Sequence, residues 1–93
     1  ARFSPYAASG EINSVVDDVP AATARIRAAF EAEADFDELD GLTVTGRTAE
    51  GESFWWFNVR PSNTEPLLRL NAEAGSQEVL DAVRDRALTI IRA

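Results

Sequence analysis

Residues 53–73 read SFWWFNVRPSNTEPLLRLNAE and hold two apolar segments on either side of a polar turn. Residues 53–60 are rich in aromatic side chains, and residues 67–73 alternate between apolar and polar side chains, so both segments predict β-strands. The turn over residues 61–66 contains two prolines, which limit how far its backbone can wander. Because the loop is short, we expect the two strands to pair antiparallel.

The flanking sequence predicts two further strands and two helices. Residues 9–16 and 42–48 carry strand-like patterns, and the acidic residues 35–40 predict a loop. Apolar residues at intervals of three and four predict a helix over about residues 20–34 and a last helix capped by Ser76. The order β-α-β-β-β-α predicts an α+β fold, in which a four-stranded, mainly antiparallel sheet carries two helices on one face.

Composition indicates a folded domain and limits its partners. The 93 residues are 45% apolar and 27% charged, which fits one globular domain over residues 1–93. The net charge of −7 disfavours nucleic acid and anionic membranes, because both attract positive surfaces. The absence of Cys and His argues against a self-contained enzyme and fits a cytoplasmic chain, among others. We expect a cytoplasmic protein and, because the sequence begins with Ala rather than Met, a piece of a longer one.

The polar turn collects groups that suit a phosphate dianion. Arg60 offers a planar cationic fork, Ser62 and Thr64 offer hydroxyl donors, and the backbone N–H groups of residues 62–64 can turn inward. The same residue types also fill ordinary turns, where Ser, Asn and Thr bond their own backbone. From the residues alone, both a phosphate site and a plain turn stay open.

Residues 58–71, NVRPSNTEPLLRLN, strongly resemble the phosphate-binding loop of the α-D-phosphohexomutases, the family of phosphomannomutase and phosphoglucomutase. Residues 9–13, SGEIN, are similar to the segment that opens the same domain in bacterial phosphomannomutases. The resemblance covers essentially the whole chain. It implies the last of the family's four domains, with a fold like that of the TATA-box-binding protein.

The resemblance also implies a substrate site and a parent enzyme. The residues that would hold the phosphate of mannose or glucose 1- or 6-phosphate are Arg60, Ser62, Asn63 and Thr64. Arg69 would support the site at its margin, although pairing with Glu65 or Glu73 is an equal alternative. The parent isomerase would interconvert hexose 6-phosphate and hexose 1-phosphate through a bisphosphate. Its phosphoserine and Mg²⁺ would lie in its other domains, so this chain alone would be inactive.

The aromatic strand has a second interpretation. Trp55 and Phe57 share one face of a strand, and Phe54 and Trp56 share the other. Packing in the core or against another domain accounts for such residues, as does stacking on a ligand. If the turn is a plain one, the alternative function is a non-catalytic module that binds a partner protein through this strand.

The acidic residues 35–40 resemble a calcium loop only at first sight. An EF-hand needs Gly at its sixth position and Glu at its twelfth, whereas counting from Asp35 places Asp40 and Gly46 there. We therefore predict a solvated loop and no metal site in this chain.

Overall fold

An antiparallel sheet and two helices make up residues 6–93, the part of the chain that the structure, a computed structural model, describes. The strands are β1 (Ala7–Ala8), β2 (Ile12–Val15), β3 (Ala34–Asp37), β4 (Leu42–Gly46), β5 (Trp55–Pro61) and β6 (Leu67–Ala74). The helices are α1 (Val19–Phe30) and α2 (Gln77–Ile91). The first five residues of the predicted domain over residues 1–93 lie outside the described part.

Strand β6 occupies the middle of the sheet. Strands β1 and β2 both pair with one of its edges, and β5, β4 and β3 follow in that order on the other side. Every one of these pairings is antiparallel. The predicted α+β class is therefore confirmed, and so is the strand pair on either side of the polar turn.

A β-bulge occupies the start of the strand predicted over residues 9–16, of which β2 forms the rest, and β1 precedes that range. Residues 9–11 lie between the two strands, opposite only residues 71–72 of β6. The Ser9 hydroxyl accepts the Ala72 N–H at 2.9 Å, which replaces a bond of the regular ladder. Gly10 has a φ of +70°, which glycine adopts without a steric penalty. The SGEIN segment thus encodes a bulge as well as a strand.

Strand β3 replaces the loop that the acidic stretch predicted, and this expectation was wrong. Helix α1 ends at Phe30 instead of about residue 34, which leaves Ala34 free to begin the strand. Ala34 is buried and Phe36 packs against the core, whereas Asp35 and Asp37 are exposed on the other side. Apolar and acidic side chains therefore alternate with the period of two typical of strands, although the segment is acidic overall. The described residues form six strands instead of the four predicted.

Both helices cover the same side of the sheet and close one hydrophobic core with it. At its centre the Phe30 ring of α1 lies 5.1 Å from the Phe57 ring and 5.7 Å from the Trp55 ring of β5. The largest fully buried side chains are Phe30, Phe57, Ile26, Leu68, Leu70, Leu80, Ile91, Val44 and Val59. The prediction of two helices on one face is confirmed, and Trp55 and Phe57 serve core packing.

The helices begin at side-chain caps. Asp18 accepts the Ala21 N–H at the start of α1. Ser76 accepts the Val79 N–H at the start of α2, and this second cap was predicted. The Arg25 guanidinium of α1 donates to the carbonyls of Ile90 and Ile91, both at 3.1 Å, and so ties the end of α2 to α1. Within residues 6–93, neither helix has the length and apolar composition that crossing a lipid bilayer requires.

The side of the sheet opposite the helices, here called the open face, is mostly polar. Its side chains on β5 and β6 are Trp56, Asn58, Arg60, Arg69, Asn71 and Glu73. The register places Asn58 directly opposite Asn71, and Arg60 directly opposite Arg69. The end of the open face next to the polar turn therefore carries two arginines.

Candidate functional site

The loop of residues 62–66 joins β5 to β6 and carries the predicted site residues at one end of the sheet. The Ser62 N–H donates to the Leu67 carbonyl at 3.1 Å, and the Ser62 hydroxyl accepts the N–H groups of Thr64 and Glu65, each at 3.3 Å. Ser62 thus fixes the shape of the loop from within. Its N–H, expected to be available to an anion, is already used in the structure.

The outer part of the loop keeps polar groups available. Asn63 and Thr64 are exposed, and within residues 6–93 neither their side chains nor the Asn63 N–H makes a hydrogen bond. The Ser62 hydroxyl accepts two bonds but still has its own proton to donate. These groups can together supply hydroxyl, amide and backbone donors to a bound anion.

Arg60 and Arg69 place two positive charges where the loop leaves the sheet. They are directly opposite neighbours on β5 and β6, and their side chains are 52% and 45% exposed. Like charges directly opposite each other destabilise a strand pair, and an anion between them would relieve that repulsion. Arg69 therefore lies opposite Arg60 at the foot of the loop.

Each of these arginines faces a carboxylate that sequence reasoning missed. Arg60 Nε lies 3.5 Å from Asp40 Oδ1, and Arg69 Nε lies 3.9 Å from Glu11 Oε2. The alternative that Arg69 pairs with a glutamate of the loop or of β6 is wrong for the described residues. Each carboxylate is adjacent in sequence to a glycine, Gly41 or Gly10, and both glycines have a positive φ in the structure.

The turn that carries Asp40 is held against the open face. The Asn58 side-chain amide donates to the Asp40 carbonyl at 2.8 Å and to the Thr43 hydroxyl at 2.9 Å. Gly41 follows with a φ of +68°, and a Cβ at this position would lie 2.5 Å from the Val59 carbonyl oxygen. Only glycine lets the turn approach β5 this closely, which brings Asp40 to Arg60.

We expect Gly41→Ala to lower the free energy of unfolding by about 2 kcal/mol, because a methyl group would meet backbone and strain a left-handed residue. Urea denaturation of the chain measures this loss. Gly51→Ala is the matched control, since Gly51 has a φ of +91° but open space around its missing Cβ. The control is expected to lose about 1 kcal/mol, from the left-handed conformation alone. Equal losses would contradict the close approach of the Gly41 turn.

The site suits an anion and does not fit a magnesium ion. Its groups are guanidinium, hydroxyl, amide and N–H donors, whereas Mg²⁺ takes oxygen ligands, with carboxylates the usual protein contribution. Within residues 6–93, no group of three or more His, Cys, Asp or Glu side chains is arranged to hold a metal ion. The donors of the two arginines and the 62–66 loop therefore suit an anion better than Mg²⁺.

The aromatic strand is divided between the core and the surface. Trp55 and Phe57 stack at 6.3 Å inside the core, and Phe54 lies before β5, where its ring meets the Tyr6 ring edge-on at 6.1 Å. Trp56 is half-buried on the open face. Core packing thus accounts for Trp55 and Phe57, and the alternative of a partner-binding module stays a prediction.

Comparison with known proteins gives one family for nearly the whole chain. Residues 11–90 match the family model described as phosphoglucomutase/phosphomannomutase, C-terminal domain. The chain is 42% identical over 88 residues to the phosphomannomutase of Salmonella typhimurium, covering 94% of the chain and 18% of that protein. It is 42% identical over 79 residues to the phosphomannomutase of Methanocaldococcus jannaschii, covering 85% of the chain and 16% of that protein. A Xanthomonas campestris protein named phosphohexose mutases is 40% identical over 90 residues, covering 96% of the chain and 19% of that protein.

The chain spans less than a fifth of the length of these relatives, between 16% and 19% of each. The match to the family model runs from Glu11, beside Arg69, through the whole 62–66 loop to Ile90 in α2. The matched range therefore spans the positions of both arginines and both carboxylates of the candidate site.

Proposed function

Because the chain belongs to the phosphoglucomutase/phosphomannomutase family as its C-terminal domain, we propose that Arg60, Arg69 and the 62–66 loop bind the phosphate group of a hexose phosphate. The observation that carries this proposal is the direct opposition of Arg60 and Arg69 at the foot of the loop. Two guanidinium groups on one face can each donate in parallel to the oxygens of one dianion.

The loop residues would complete the shell around the phosphate. The Ser62 and Thr64 hydroxyls and the Asn63 N–H lie in this loop and have hydrogen-bonding capacity left for a ligand. Every one of these contacts goes to phosphate oxygens and none to a sugar hydroxyl. Such a clamp is indifferent to the sugar, so it would accept mannose and glucose phosphates attached through either C1 or C6.

We extend this proposal to the parent enzyme, an isomerase that interconverts hexose 6-phosphate and hexose 1-phosphate through a bisphosphate. In it, this domain would hold the phosphate that is not being transferred and thereby orient the other end of the sugar. Indifference to the sugar is what such a reaction requires, because each end must be held in turn. The phosphoserine and the magnesium ion would belong to other parts of the enzyme, which would contact this domain in the cytoplasm. The 93-residue chain alone would then bind substrate without turnover.

Titration of the ¹⁵N-labelled chain with mannose 6-phosphate tests the proposal. At about 1 mM ligand, we expect shifts of the backbone amides of Asn63 and Thr64 and of the Nε–H signals of Arg60 and Arg69. The Ser62 amide should move less, because it is bonded to the Leu67 carbonyl. Unphosphorylated mannose is the control and should leave these signals in place. Identical responses to both sugars, or none to the phosphate, would contradict the proposal.

A further inference from the structure

We propose that Asp40 and Glu11 determine the affinity of this clamp, as resident carboxylates that repel the phosphate and so promote its release. The inference rests on the proposed function and deepens it. The clamp would therefore contain two arginines that attract the ligand and two carboxylates that weaken its binding.

The geometry gives these carboxylates a weak hold on the arginines. The distances from Arg60 to Asp40 and from Arg69 to Glu11 are 3.5 and 3.9 Å, longer than those of short charge-assisted hydrogen bonds. The Asp40 side chain is 77% exposed and that of Glu11 is 52% exposed. Exposed pairs of this kind contribute little stability, so an incoming phosphate can take over the guanidinium groups. The carboxylates would then remain beside the ligand with their charge uncompensated.

The backbone fixes both carboxylates near the site. Asp40 comes from the β3–β4 turn, which the Asn58 amide and the missing Cβ of Gly41 hold against β5. Glu11 comes from the β1–β2 bulge, which the Ser9 hydroxyl anchors to β6. The two acids thus flank the arginine pair, Asp40 beyond β5 and Glu11 beyond β6. Flexible side chains alone could swing away, but each backbone position is set by hydrogen bonds or close packing.

A carboxylate that repels the ligand and a carboxylate that only holds Arg60 in position lead to different predictions. The energy of repulsion is proportional to the charge of the ligand. If neutralising a carboxylate raises the affinity for a monoanion by a factor f, it should therefore raise the affinity for a dianion by f². A residue that instead positions Arg60 would, when neutralised, weaken both ligands. The sign and the charge dependence of the effect therefore separate the two roles.

The experiment compares Asp40→Asn with the unchanged chain, using mannose 6-phosphate as the dianion and mannose 6-sulfate as the monoanion. At about 0.1 M salt we expect the phosphate to bind about threefold more tightly to Asp40→Asn, and the sulfate about 1.7-fold more tightly. Glu11→Gln should act in the same direction, and the double variant should add the two effects. Higher salt should reduce each gain, because the groups are exposed.

Glu38→Gln is the matched control. Glu38 is two residues from Asp40 and carries the same charge, but its partner is Arg27 of α1. We expect this variant to leave both affinities nearly unchanged. Backbone amide shifts of each variant establish that the fold is retained, and Glu11→Gln supplies an independent test should Asp40→Asn disturb its turn.

The outcomes separate this inference from the proposed function. If the unchanged chain does not bind mannose 6-phosphate, the proposed function fails. If the chain binds but Asp40→Asn and Glu11→Gln bind equally well or more weakly, the phosphate clamp stands and the repulsive role is overturned. Gains of equal size for phosphate and sulfate would also overturn it.

Discussion

Arg60→Ala is expected to weaken the binding of mannose 6-phosphate to the chain by about 10- to 100-fold, because it removes charge-assisted hydrogen bonds to the phosphate. Arg60 lies directly opposite Arg69, so the variant also changes a two-arginine site into a site with one. Titration followed by the amide signals of Asn63 and Thr64 measures the loss. In the parent enzyme, the proposed function predicts a comparable loss in kcat/KM.

Two further variants make the Arg60 result specific. Arg27→Ala removes the same charge from a side chain of similar exposure, 46% against 52%, but on α1 and away from the loop. It should leave the affinity within about twofold of the unchanged chain, since distant exposed charges are screened by salt. Arg60→Lys keeps the charge and loses the planar fork, so its affinity should fall between the two. Equal losses for Arg27→Ala and Arg60→Ala would show that only net charge matters.

Phe30→Ala should lower the free energy of unfolding by about 3–5 kcal/mol, the cost of removing a large aromatic side chain from a packed core. Phe30 is fully buried, lies 5.1 Å from the Phe57 ring, and carries the Arg86 guanidinium 4.1 Å above its own ring. For a domain of this size the melting temperature should fall by roughly 12 °C or more. Urea and thermal denaturation measure the two quantities.

Phe36→Ala is the control for Phe30, because it is also a phenylalanine with an arginine over its ring. The Arg27 guanidinium lies 4.8 Å from the Phe36 ring, but Phe36 is only partly buried at the sheet edge. Its removal should cost about 1–2 kcal/mol, in proportion to the smaller apolar area that it buries. If both variants lost the same stability, Phe30 would not be the centre of the core.

The strands around the polar turn were predictable because the first is rich in aromatic side chains, the second alternates apolar and polar side chains, and prolines mark the turn between them. The cap of α2 at Ser76 was predictable because a short polar side chain before an amphipathic run satisfies free N–H groups. Strand β3 was missed because four acids between Asp35 and Asp40 outweighed the alternation of Ala34 and Phe36 with aspartates. Acidic composition indicates exposed residues, whereas the spacing of apolar side chains indicates a helix or a strand. In this segment the two signals disagreed.

The site was predictable in part. Arg60 and the loop residues follow one another in sequence, so a local motif identified them. The opposition of Arg60 and Arg69 depends on the register of β5 and β6, which a loop with two prolines does not by itself determine. Asp40 and Glu11 come from two other turns, and only the folded sheet brings them to the arginines.

The pairing of β2 with β6 has a consequence for the order in which the domain assembles. Asn13 lies opposite Arg69, so this pairing joins segments that are far apart in sequence, whereas β5 and β6 form a local hairpin. Closing a long loop costs more entropy than closing a short one, so we expect the hairpin to form first. Arg60 and Arg69 would then meet early in folding, before Glu11 arrives.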